Sequence, residues 1–183
     1  CGIDREQVPT AFLRHATSKI VNEEDLEGIN TLGFRGEALA AISSVSKVEL
    51  ITRREADSVG TRYVIEGGEE KVFEETGCPE GTTVIVRDLF YNTPARMKFL
   101  KKDVSEANII SDLIEKIALS HPEIAIRFNK DSKEVINTSG DGKLSSAVYS
   151  VLGREFYSTL ISADSTLNGI EVKGYICKPV YCR

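Results

Sequence analysis

The chain has 183 residues, 41% of them hydrophobic and 28% charged, with a formal net charge of −5. That composition can build a sizeable core in one domain or two small ones. It argues against a surface coated in positive charge for non-specific nucleic-acid binding, while leaving room for a local basic patch, and no apolar run approaches the roughly 20 residues that span a bilayer.

The four cysteines, Cys1, Cys78, Cys177 and Cys182, form no CxxC pair, and the only histidines, His15 and His121, lie far apart. Reduced thiols are expected and a metal centre is not. The opening CGIDREQVPT has neither an initiator Met nor a basic-then-apolar leader, and reads as the interior of a longer protein.

Residues 5–16 are predicted as a helix, with Asp4 as N-cap, Gln7 at N3 and Pro9 in the first turns. Val8, Phe12 and the neighbouring Ala11 and Leu13 give it an apolar side. A small polar cluster follows, His15-Ala16-Thr17-Ser18-Lys19, and residues 23–29 read as a short acidic helix ending near Gly28. Then comes LGFRGEALAAISS, residues 32–44. Gly33 and Gly36 bracket Phe34-Arg35, and helix formers run from Glu37 to about Val45. A glycine-punctuated loop entering a helix suits a phosphate, because unpaired N–H groups carry partial positive charge and glycine lets the backbone approach closely. By itself the pattern fits equally a loop and helix start without a ligand.

The period then changes. Residues 47–53, 61–66, 71–75 and 82–88 alternate or run β-branched, and glycine-bearing connections predict an antiparallel meander. LFYNTPARMKFLKK follows at 89–102. Residues 103–120 are the clearest helix, with Ile109, Ile110, Leu113, Ile114 and Ile117 as its expected core stripe and Pro122 beyond its end. Residues 124–128 and 134–138 read as strands around Asp131-Ser132. Ser139-Gly140-Asp141-Gly142 is the expected domain boundary; after it come a helix at 144–152 capped by Gly153 and strands at 159–162 and 170–177.

CGI at 1–3, RHATSKI at 14–20, LGFRGEALAAISSVS at 32–46, GTTVIVRDLFYNTPAR at 81–96 and KFLK at 98–101 occur in the order and near the spacing of one family. Across essentially its whole length the chain resembles the N-terminal ATPase region of the MutL DNA mismatch repair family, within the GHKL superfamily shared by gyrase B, a heat-shock chaperone and histidine kinases. The resemblance implies an α+β fold. Over residues 1–139 this is a two-layer α/β sandwich with a mixed sheet, a Bergerat-type ATPase fold without its N-terminal part. From 140 to 183 it is the start of a smaller, ribosomal-S5-domain-2-like transducer domain.

The resemblance also implies a site for ATP and Mg2+. Gly2 and Ile3 resemble the end of a DxGxG motif lining the adenine pocket, and Thr17 and Ser18 resemble hydroxyl-bearing residues near the nucleotide. Leu32, Gly33, Phe34, Arg35, Gly36, Glu37, Ala38 and Leu39 resemble the lid that wraps the triphosphate. Thr82 resembles the threonine on the adenine side, with Thr83 as the alternative if the register shifts by one. The family's general-base Glu and Mg-holding Asn would lie upstream of Cys1, and its γ-phosphate Lys beyond Arg183. No catalytic residue or metal ligand is therefore assigned, and this stretch alone is expected to be inactive in hydrolysis and poorly soluble. Arg35 reads as a phosphate contact or as one half of a structural pair with a carboxylate. Arg96, Lys98, Lys101 and Lys102 read as contacts to DNA phosphates or as a solvated face, and Phe90, Tyr91 and Phe99 as core residues.

The implied function is an ATP-binding and hydrolysing switch that dimerises on ATP, as a homodimer or a MutL-type heterodimer, and couples mismatch recognition by a MutS-type partner to nicking or strand removal on DNA. No membrane is involved; the implied location is the cytoplasm and nucleoid of a bacterium, or a eukaryotic nucleus. A reading of another class is a non-catalytic scaffold for DNA or protein. An ENxxDA motif and a DNG upstream of Cys1 would favour the ATPase over it. A topoisomerase-type relative is disfavoured by GFRGEAL together with LFYNTPAR.

Overall fold

The computed structural model describes residues 2–20, 22–29 and 31–181. The chain forms two compact units, Cys1–Leu100 and Lys101–Arg183.

The first unit is built on four strands, β1 (Lys47–Arg53), β2 (Gly60–Glu66), β3 (Glu69–Thr76) and β4 (Gly81–Arg87), in the order β3-β2-β1-β4 with every pairing antiparallel. Alternation along β1 sends Val48, Leu50 and Thr52 to one face and Glu49 to the other. The first face is the core: Val48 and Leu50 pack with Tyr63, Ile65, Val8 and Phe12, and with the partly buried Ile3, Ala11, Leu39 and Ile42. The Phe12 and Tyr63 rings stack at 5.2 Å, and burial pushes the Tyr63 hydroxyl up to about 12. On the opposite face, Glu49 accepts from Arg62 (2.7 Å) and Arg87 (3.0 Å), and Arg62 reaches on to Glu74 (2.7 Å), so one ionic ladder crosses all four strands.

The helical layer is less regular than the sequence predicts. In place of a helix over 5–16 there are two 3-10 turns, Arg5–Gln7 and Thr10–Phe12. Pro9 is the reason: its ring would clash with the Arg5 carbonyl in an α-helix, and that carbonyl instead accepts from Val8. Asp4 does cap the start, accepting from the Glu6 amide at 3.0 Å. The chain is extended at Leu13 and left-handed at His15, which ends the helical geometry well before Ala16. The acidic segment Glu23–Gly28 is also 3-10, and α1 is short, Ala38–Ser43.

Val84 and Val86 of β4 stand opposite Leu50 and Val48, on the core face, yet both remain about 44% exposed. The helical layer covers β1 and β2 better than β4.

The second unit contains α3 (Asp103–Ser120), a hairpin of β5 (Arg127–Lys130) and β6 (Lys133–Asn137), α4 (Leu144–Tyr157), and a hairpin of β7 (Leu160–Leu167) and β8 (Ile170–Cys177). A short α2, Pro94–Met97, precedes it in the first unit. The α3 stripe is a correction: Ile109, Ile110 and Leu113 are about half exposed, Ile114 and Ile117 half-buried, and only Ala118 fully buried. Periodicity identified the apolar side, but in this unit only the C-terminal half of that side is covered. The turn at 139–142 lies inside the unit and joins its parts. Gly142 donates to the Pro122 carbonyl at 3.1 Å, and Asp141 accepts from the Lys143 amide (2.9 Å) and the Ser146 hydroxyl (2.8 Å) at the start of α4. Those two hydrogen bonds hold the Asp141 carboxyl below the usual carboxylate range. Gly153, expected as a cap, has φ 80° and kinks α4, and helical geometry resumes after it. Cys78 and Cys177 are free thiols; Cys1 and Cys182 lie outside the described residues.

Candidate functional site

Two local structures collect the residues singled out by the sequence. The first is a corner where the N-terminal segment meets β1 and β4. The Ile3 amide donates to the Thr52 hydroxyl oxygen at 2.8 Å. That hydroxyl lies 3.1 Å from the Gly81 carbonyl and 2.9 Å from the Thr82 hydroxyl. With its single proton given to Gly81, the Thr52 oxygen accepts from both Ile3 and Thr82, so every polar atom of the triad is satisfied. Thr52 is essentially inaccessible to solvent. Gly2 fits because it has no side chain: a Cβ there would collide with the Arg53 carbonyl.

Register separates the two threonines of GTT. Thr82 pairs with Thr52 on the core face, whereas Thr83 pairs with Ile51 and points away. Thr52 itself escapes motif reading. Its one signal is that a hydroxyl follows Val48 and Leu50 in the inward positions of KVELITR, where a third aliphatic residue is the norm. An open cleft of about 510 Å³ beside Gly2 is lined by Arg54, Glu55, Ala56 and Glu80. Two carboxylates against one guanidinium make it unsuited to a polyanion.

The second structure joins the His15–Lys19 cluster to the loop at 32–37. Gly36 has φ 63° and lies on the Ala16 backbone, where a Cβ would collide with the Ala16 carbonyl. His15 Nδ1 lies 3.2 Å from Glu37 Oε1. Thr17 accepts from the Lys19 amide at 3.1 Å, tightening the turn that carries Ser18. The loop therefore touches the hydroxyl-bearing segment at two points. Gly33 faces open space. Among the described residues, none of the amides from Leu32 to Glu37 donates a hydrogen bond within the chain. A run of unpaired donors beside a left-handed glycine is what an oxyanion needs. Because α1 has under two turns, its dipole is small, and any anion at this loop would rest on these amides rather than on a long helix.

Leu39 and Ile3 pack against the same buried cluster, which ties the two structures to one core. Arg35 makes no ion pair among the described residues; its guanidinium lies 5.5 Å from the centre of the Phe34 ring. Arg96 and Lys98 belong to the first unit, Lys101 and Lys102 to the second, and all four are exposed with no side-chain ion pair among the described residues. Phe99, expected in the core, is 87% exposed, Tyr91 is exposed and Phe90 half-buried. Phe99 follows α2, at a point where the chain runs along the surface.

No protein-family model matches the chain. It is 51% identical over all 183 residues to the DNA mismatch repair protein MutL of Agathobacter rectalis, of which it covers 28%. Over 97% of its length it is 45% identical to MutL of Caldanaerobacter subterraneus subsp. tengcongensis, covering 30% of that protein. The chain thus spans less than a third of these relatives. Among solved structures, the Aquifex aeolicus MutL ATPase domain complexed with ADP superposes with a TM-score of 0.64 at 32% identity, over 79% of this chain and 56% of that one. The N-terminal domain of a DNA repair protein gives 0.70 at 25% identity, over 95% and 55%. Among the described residues no helix is long and apolar enough to cross a membrane, and no cluster of side chains suits a metal ion.

Proposed function

This chain belongs to the MutL family of DNA mismatch repair proteins, and we propose that it supplies the nucleotide lid and one adenine-side corner of an ATP-operated mismatch repair switch. The observation that carries the reading is the run of amides from Leu32 to Glu37 with no hydrogen-bond partner among the described residues, held by Gly36 against the Ala16 backbone. The solved relative with ADP supports it.

ATP with Mg2+ supplies a charged triphosphate. The chain's own part is to bind and orient it. The loop amides donate to phosphate oxygens, the hydroxyls of Thr17 and Ser18 approach from the adjoining turn, and Gly2, Ile3 and Thr82 line the base end. Arg35 is free to turn from the Phe34 ring toward an anion. Ordering a loop costs about 1–2 kcal/mol per residue in backbone entropy, so the closed lid depends on the ligand and acts as a switch. No residue of this chain is assigned to water activation or to holding the metal. In the whole protein, lid closure favours dimerisation and passes a mismatch signal from a MutS-type partner to strand nicking or removal. Arg96, Lys98, Lys101 and Lys102 contact DNA phosphates without reading sequence.

The test is titration of the full-length protein with Mg-ATP, with and without Gly36→Asp. The substitution adds a strained side chain and a negative charge at the phosphates, and an affinity loss of at least about ten-fold is expected. Equal affinity in the two proteins overturns the lid assignment. For DNA, replacing Arg96 and Lys98 by Ala lowers the salt dependence of binding by about one unit of slope for each phosphate no longer neutralised. An unchanged slope leaves these residues as a solvated face.

A further inference from the structure

The last carbonyls of a helix have no partner inside it. At the end of α1 and in the three residues that follow it, the carbonyls from Ala40 to Ser46 are all taken, and two distant segments supply donors. The serines of ISSVS satisfy the inner ones: the Ser44 hydroxyl donates to Ala41 at 2.8 Å and the Ser46 hydroxyl to Ile42 at 2.6 Å. Beyond them the donors are external. The β2–β3 turn gives the Gly68 amide to Ser43 (3.0 Å) and the Gly67 amide to Ser46 (3.1 Å). The loop after β4 gives the Phe90 amide to Val45 (2.6 Å) and the Asn92 side-chain amide, Nδ2, to Ser44 (2.9 Å).

The loop after β4 is built to make those two bonds. Asp88 and Phe90 are both left-handed, with φ 53° and 66°, a region that Asp tolerates and that a bulky Phe rarely adopts. Lys47 at the start of β1 pairs with Asp88 at 2.8 Å, and its ammonium lies 5.4 Å from the Tyr91 ring centre. Gly67 lies close against the Tyr91 hydroxyl and the Asn92 amide, so the two donor segments brace each other. Of the four external donors, three are backbone amides and cannot be removed by changing a side chain. Asn92 is the one that can.

We infer that Asn92 is a positioning residue for the lid: its amide clasps the C-terminal end of α1 and so fixes the base from which the 32–37 loop closes. The inference rests on the lid reading. Through Asn92 the YNTP segment acts on the nucleotide loop without touching nucleotide, a role that neither motif shows on its own.

The test uses the full-length protein. Asn92→Asp keeps the shape but turns a donor into an acceptor facing a carbonyl; Asn92→Ala removes the donor without adding charge and keeps the test open if the Asp variant does not fold. Hydrogen exchange without nucleotide should speed up by roughly three- to ten-fold at amides 40–46, relative to β1 and β2. The KM for ATP should rise by a similar factor, with kcat at saturation within about two-fold of the parent. Unchanged exchange at 40–46 overturns the clasp. Faster exchange with an unchanged KM overturns the positioning role; if Gly36→Asp still abolishes binding in that case, the lid reading stands without it.

Discussion

The corner around Thr52 and the proposed lid around Gly36 are held by opposite means. In the corner, a buried hydroxyl ties the N-terminal segment to two neighbouring strands, and each polar atom has a partner. In the lid, the backbone amides have no partner among the described residues, and the loop is placed by a glycine lying on a carbonyl and an exposed pair, His15–Glu37. The corner is formed by folding alone. The loop keeps donors that no described residue takes up, and on the proposed reading its order awaits a ligand. A binding site that also works as a switch needs both: one end that is always present and one that responds.

The largest expected effect breaks the lid alone. Gly36→Ala places a Cβ against the Ala16 carbonyl at a left-handed residue. Strain of this kind costs on the order of 1–3 kcal/mol, so nucleotide affinity in the full-length protein, measured by titration calorimetry, should fall by roughly ten- to a hundred-fold. Without nucleotide the exposed loop can move off the Ala16 carbonyl and release that strain, so the melting temperature should move little. Thr52→Val has the reverse signature. It removes the buried hydroxyl that accepts from the Ile3 amide and donates to the Gly81 carbonyl, and denaturant titration should show a decrease of about 1–3 kcal/mol in stability. If instead Thr52→Val left stability unchanged and Gly36→Ala unfolded the protein, the contrast between the two regions would be reversed.

A third prediction checks the sheet on which the corner stands. Hydrogen bonds from Arg62 and Arg87 hold the Glu49 carboxyl below the usual range. A depressed carboxylate adds stability above its unfolded pKa, about 4.3, and loses it as pH falls through the lower folded value. Glu49→Gln should therefore be less stable than the parent at pH 7, and the gap should narrow as pH drops below about 4 in chemical denaturation curves. The smallest effects sharpen the picture of the lid. His15→Ala removes a pair exposed on both sides and should cost under about 1 kcal/mol. Gly33→Ala, in open space and without positive φ, should leave stability within about 0.5 kcal/mol. A weaker nucleotide affinity in Gly33→Ala at unchanged stability would place the ligand directly against that residue.

The sequence made the sheet legible because alternation is a local signal: β1 follows KVELITR and α3 spans the predicted 103–120. It misplaced the first helix, because the apolar spacing at Val8 and Phe12 is genuine while Pro9 limits each helical piece to a 3-10 turn. It expected a buried stripe on α3 because periodicity identifies a face and says nothing of whether a neighbour covers it; Ile109 and Leu113 are half exposed. Of the site, the glycines and threonines were visible as motifs. Thr52 and Asn92 were not, because their roles depend on pairings across 30 and 48 residues. Those distances are set by strand register and loop conformation, which no local pattern encodes.

The most direct test of a preformed corner and a ligand-ordered lid is hydrogen exchange on the full-length protein, with and without a non-hydrolysable Mg-ATP analogue. The amides of residues 32–37 should exchange freely in the absence of nucleotide and become strongly protected in its presence, while Ile3 and Thr52 are protected in both states. Protection of the loop before nucleotide is added, or a loop left unprotected at saturating nucleotide, would contradict the account.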